Sequence, residues 1–145
     1  MQSKDYRFEV IDVFASADYI FDAYGENVNE LFAACAAACF SAMTDLQKVD
    51  SVMEFSLKLS ADTIEELLYS FVSELIYLKD TEKMFFSIFN VDVGPDLKSL
   101  KAVVIGEMIN YDRHTIKTDV KAATYHDLKI EKLDGGFKAH MILDL

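Results

Sequence analysis

Two carboxylates sit together at the end of the chain: the side chain of Asp144 and, one residue on, the α-carboxylate of Leu145. They follow a strand-like run over residues 137–144, so they are expected to leave a sheet rather than a floppy tail. Hard divalent cations such as calcium or magnesium take several oxygen ligands held together. A third acidic side chain brought to this end would complete such a site. Asp18, at the start of another strand-like run, is one acidic candidate among many, and composition does not favour it over an ordinary solvated aspartate.

Residues 118–128 form the second suggestive stretch, because Asp119, Lys121, Tyr125, His126 and Asp127 occur there without a clean period of two or 3.6. Irregular, side-chain-rich backbone often carries function. An equally good account pairs Lys121 with Asp119 and lets Thr124 and Asp127 cap a turn. Cys35 and Cys39 share one face of a helix, but no flanking His or second Cys pair completes a tetrahedral metal set, so they read as small core residues. His114, in a polar connection, reads as a surface residue, and His140, in an alternating strand, as a solvated one. No Gly-rich nucleotide loop, serine-hydrolase elbow or zinc-protease motif is present.

The elements that must position these groups are legible from period and punctuation. Alternating or apolar runs at residues 6–10, 19–24, 53–59, 84–93, 97–107, 127–132 and 137–144 predict strands. Asp134-Gly135 predicts a hairpin joining the last two, and Gly94-Pro95-Asp96 a tight turn. Asn27 with Glu30 gives a capping-box spacing before a helix over about 29–43, whose alanine-rich middle should be nearly buried. Asp62 with Glu65 gives another before a helix over about 63–79, with Ile64, Leu67, Leu68, Phe71, Leu75 and Leu78 as its apolar stripe. Strands outnumber helices and are mostly adjacent in sequence. The expected class is therefore α+β, a mostly antiparallel sheet with two main helices packed on one face.

Length and charge bound the rest. A chain of 145 residues, 52% hydrophobic, is one domain with enough core to stand without staples. Fourteen Lys and Arg against 25 Asp and Glu leave a net charge of −11, which favours basic protein surfaces and divalent cations as partners and disfavours direct nucleic-acid binding. No apolar stretch approaches the roughly 20 residues that span a bilayer. Residues 1–7 lack the apolar run of a signal peptide, and two cysteines make no disulfide framework, so the expected compartment is the cytoplasm.

Several blocks, in order along nearly the whole chain, together resemble the archease family. They are Asp22-Ala23-Tyr24-Gly25 leading into a helix that ends at Met43-Thr44-Asp45-Leu46, then residues 74–82, then Val120-Lys121-Ala122-Ala123-Thr124-Tyr125-His126-Asp127-Leu128, and finally Met141-Ile142-Leu143-Asp144. The resemblance implies an α+β fold with a strand-helix-strand-strand core. It also implies an accessory protein that promotes guanylylation and multiple turnover of the tRNA-splicing RNA ligase without itself joining RNA. The family's His-Thr-Ala-Asp stretch corresponds to Ala15-Ser16-Ala17-Asp18, keeping the Asp, with Ile20 where a Gly is usual. By that correspondence Asp18, Asp144 and the Leu145 carboxylate hold a divalent cation, calcium or else magnesium, while Lys121 and His126 act on the ligase. Two rival functions remain, a hydrolase using the same carboxylates on a metal-bound water and a chaperone-like binding module.

Overall fold

A helix built from Leu31, Phe32, Cys35, Cys39, Phe40 and five alanines has no polar stripe to turn toward water. The computed structural model, which describes residues 4–13 and 18–145, buries that whole stretch. Seven strands are described: β1 (Arg7–Val13), β2 (Asp18–Gly25), β3 (Met53–Ser60), β4 (Met84–Val93), β5 (Ser99–Met108), β6 (Ala122–Leu133) and β7 (Gly136–Asp144). They form two antiparallel sheets, ordered β1-β2-β7-β6 and β3-β5-β4. The buried helix, α1 (Val28–Ser41), touches β2 and β7 of the first sheet and β4 of the second. Helix α2 (Ile64–Glu82) packs on β6 and reaches all three strands of the second sheet. Two helices against antiparallel strands make the fold α+β as expected, with the strands divided between two sheets rather than gathered in one. Among the described residues, no helix is long and apolar enough to cross a membrane.

Local signals act where expected, with shifts that have physical causes. Asn27 Oδ1 accepts the Glu30 N–H at 2.9 Å, and the Glu30 carboxylate returns to the Glu26 N–H at 2.8 Å, so the box closes one residue further out. The cap of α2 is Thr63, whose Oγ1 accepts the Glu66 N–H at 3.1 Å, rather than Asp62. That helix runs past Lys79 to Glu82 before Lys83 turns left-handed at φ 56°. Leu97 belongs to the turn: its φ is 61° and its N–H closes on the Gly94 carbonyl at 2.9 Å, so β5 starts at Ser99. Asp134-Gly135 forms the two-residue hairpin between Leu133 and Gly136, with Gly135 at φ 79°.

The largest departure concerns β6, expected from Asp127 but beginning at Ala122. Its register jumps from Thr124 opposite Ile142 to Lys129 opposite His140, so residues 125–128 bulge out against Met141 alone. Asp127 takes φ 57° within that bulge. A strand carrying three more residues than its partner over this stretch shows no period of two, which explains why residues 122–128 look irregular in the sequence.

Candidate functional site

The alternation of β2 turns Tyr19, Phe21 and Ala23 into the core, so Asp18, Ile20, Asp22 and Tyr24 face outward. On β7, Ala139, Met141 and Leu143 are buried, which leaves Lys138, His140, Ile142 and Asp144 on the same outer face. A slip of one residue in either strand would put charges into the core, and this fixes the register. In that register Asp18 is the direct partner of Asp144, and Asp144 is in turn the partner of Ala122. Directly opposed antiparallel residues hold their Cβ atoms about 4.5–5.5 Å apart. Two carboxylates on such stems reach a common cation, whose calcium–oxygen bonds are about 2.3–2.6 Å.

Lys121, just before β6, donates its backbone N–H to the Asp144 carbonyl at 2.8 Å. The Leu145 side chain packs against the core and so tethers the end of the strand. Asp18, Asp144, Leu145 and Lys121 are therefore neighbours at one end of the first sheet. Ala15, Ser16 and Ala17 lie outside the described residues. Among the described residues no group of three or more His, Cys, Asp or Glu side chains is placed to hold a metal. A cation here would take the two aspartates and complete its shell with backbone oxygen and water, a hard-oxygen set suited to calcium or magnesium.

His126 is not brought to this cluster. It stands in the β6 bulge with its side chain 79% exposed, 3.3 Å from Asp127. The pairing of Lys121 with Asp119 does not form either, because Asp119 Oδ1 takes the Lys79 ammonium at 2.7 Å. His140 is no free surface residue: its Nδ1 lies 2.7 Å from Asp22 Oδ1, and Lys138 approaches the same carboxylate at 3.5 Å. These groups line a cleft of about 470 Å³ on the same outer face. It is four residues along the strands from Asp18 and Asp144, about 13 Å at roughly 3.3 Å per residue. A larger cleft, about 1110 Å³ with Leu57, Phe89 and Ala102 in its lining, includes none of the residues at the acidic sheet end.

The segment leading into β6 is held from two sides. His114, expected at the surface, is buried with 5% exposure. Its Nδ1 accepts the Asn110 N–H at 2.9 Å, which leaves the proton on Nε2, 3.0 Å from Glu107 Oε2. Burial alone would raise the pKa of Glu107, but hydrogen bonds from Arg113, the Asp50 N–H and His114 outweigh it and bring the value down to about 2. The ionised form is therefore favoured by folding. Its contribution is fully present above the ordinary value of 4.5 and lost as pH falls toward about 2. Urea midpoints measured from about pH 5 to pH 2 should fall steadily, and Glu107→Gln should flatten that slope.

Comparison with known proteins follows the same geometry. The profile of the archease protein family (MTH1598/TM1083) matches residues 8–145, which takes in Asp18, Lys121, Asp144 and Leu145. The chain belongs to the archease family. It is 37% identical to the protein archease of Pyrococcus furiosus, over 90% of this chain and 94% of that one. It is 34% identical to the protein archease of Methanosarcina mazei, over the full length of both. The solution structure of Methanobacterium thermoautotrophicum protein 1598 superposes with a TM-score of 0.76 at 34% identity, covering 99% of this chain and 100% of that one. The crystal structure of a Thermotoga maritima archease, described as a possible chaperone, shares the fold at a TM-score of 0.64 and 16% identity, covering 100% of this chain and 98% of that one.

Within this archease fold, sequence reasoning missed Lys79, Asp22, Glu107 and the buried role of His114. Only Lys79 left a signal: its position in line with Leu68, Leu75 and the rest of the inward stripe of α2.

Proposed function

We propose that this chain is an activator of the tRNA-splicing RNA ligase, one that promotes guanylylation and multiple turnover of the ligase and has no turnover of its own. The observation that carries this reading is the pairing of Asp18 with Asp144 beside the end of the chain. Carboxylates gathered there repel one another, and a divalent cation, calcium before magnesium, offsets the repulsion and fixes their geometry. Lys121, exposed and tied through its N–H to the Asp144 carbonyl, presents a cation beside that site. Such a lysine suits contact with a phosphate of the ligase's bound nucleotide. His126, exposed in the bulge, is the second contact with the partner. The net charge of −11 favours a basic protein surface over RNA itself.

The test is multiple-turnover RNA ligation with the cognate ligase limiting. Adding this protein should raise the product formed per ligase and the yield of ligase–GMP, and unchanged turnover overturns the reading. The description of the Thermotoga maritima protein as a possible chaperone supports a second reading, general protection of unfolded clients. Light scattering of an unrelated aggregating protein separates the two, because a dedicated activator gives no protection.

A further inference from the structure

We propose that Lys79 is a positioning residue of the cation site: its buried ammonium fixes the backbone that places Lys121 against Asp144. This rests on the cation reading above and adds to it a residue that the site's own ligands do not reveal.

Lys79 lies in the last turn of α2 with only 5% of its side chain exposed. Burying an ammonium is unfavourable unless every proton finds an acceptor. Here three acceptors converge: Asp80 Oδ1 at 2.6 Å, Asp119 Oδ1 at 2.7 Å and the Val120 carbonyl at 3.0 Å. Burial works to discharge the lysine, and the hydrogen bonds to Asp119 and Asp80 outweigh it, so the charged form is the one held. Neutralising the charge needs only the two carboxylates, which are 56% and 65% exposed. The bond to Val120 does something else. It ties the end of α2 to the residue immediately before Lys121, whose N–H is bonded to the Asp144 carbonyl at 2.8 Å. One residue of backbone therefore separates the buried ammonium from the strand that carries a proposed ligand. Partners that orient metal ligands from outside the coordination shell are worth about 10–100-fold in metal affinity.

The experiment is calorimetric titration of the full chain with calcium at 25 °C, on wild type, Lys79→Met and Asp119→Ala, with circular dichroism confirming the fold of each. Lys79→Met keeps the apolar stem and is expected to weaken calcium binding about 10–100-fold. Asp119→Ala changes a largely exposed side chain, so it tests the same clamp without risk to the core, and should weaken binding in the same direction by less. If Lys79→Met does not fold, Asp119→Ala decides. Folded variants that bind calcium as tightly as wild type overturn the role of Lys79 and leave the cation reading standing. Wild-type protein that takes up no calcium overturns both.

Discussion

Asp18→Ala and Asp144→Ala should each weaken calcium binding by more than about 100-fold, beyond what an outer partner such as Lys79 contributes, and each should abolish activation of the ligase. Both side chains face solvent on the outer side of the first sheet, so in metal-free buffer the stability of either variant should stay within about 0.5 kcal/mol of wild type. Calcium separates them. A ligand that binds only the folded state at 100 times its dissociation constant adds about 2.7 kcal/mol of stability. Under those same conditions a variant weakened about 100-fold gains only about 0.4 kcal/mol. Chemical denaturation with and without calcium therefore reads the loss directly, independent of any ligase preparation. An Asp18→Ala protein that keeps the wild-type calcium shift would remove the aspartate pair from the site. Lys121→Met, by contrast, should keep the calcium shift and lose activation, because its side chain is assigned to the partner and not to the ion.

What could be read beforehand divides along the range of the interactions involved. Asn27 with Glu30, Asp134-Gly135, Gly94-Pro95-Asp96 and the alternation over residues 53–59 each act within a few residues of backbone, and each appears in the structure at or within a residue of its expected place. The division into two sheets was not legible, because it depends on β7 inserting between β2 and β6, and pairing between the two ends of a chain leaves no local trace. The same limit governs the site. Period placed Asp18 and Asp144 on strands, but only the register of β2 with β7 makes them partners, and it was the family resemblance that singled out Asp18. His114 misled for a related reason: polar neighbours in sequence suggested a surface loop, whereas Glu107 and the Asn110 N–H, brought in from β5 and its exit, satisfy both ring nitrogens and allow burial. Lys79 is the counterpart on a helix, an inward-facing cation whose acceptors, apart from Asp80, come from a segment some forty residues later.

The second large effect concerns the core that keeps these distant strands in register. Phe40→Ala should destabilise the protein by about 3–5 kcal/mol. Phe40 is fully buried near the end of α1, edge-on to Phe86 at 5.6 Å and beside Phe89 at 5.8 Å, both on β4. Removing the ring leaves a cavity, and the cost depends on how far the surroundings collapse into it. Here collapse is opposed on both sides, because α1 is clamped between two sheets and its neighbouring alanines have no side chain long enough to fill the space. The upper part of the range, about 4–5 kcal/mol, is therefore expected, with a fall in melting temperature of about 8–20 °C. The carbonyls of Ala42 and Met43, just beyond this turn, accept the N–H groups of Thr118 and Lys117, so the same helix end also anchors the approach to β6. Even so, Asp18 and Asp144 are paired through β2 and β7, whereas the Phe40 ring packs on Phe86 and Phe89 of β4. Calcium affinity measured well below the transition should consequently survive the substitution. A cost under about 2 kcal/mol in urea denaturation would mean that the sheets close onto the helix, and a parallel loss of calcium affinity would mean that core and cation site are one cooperative unit.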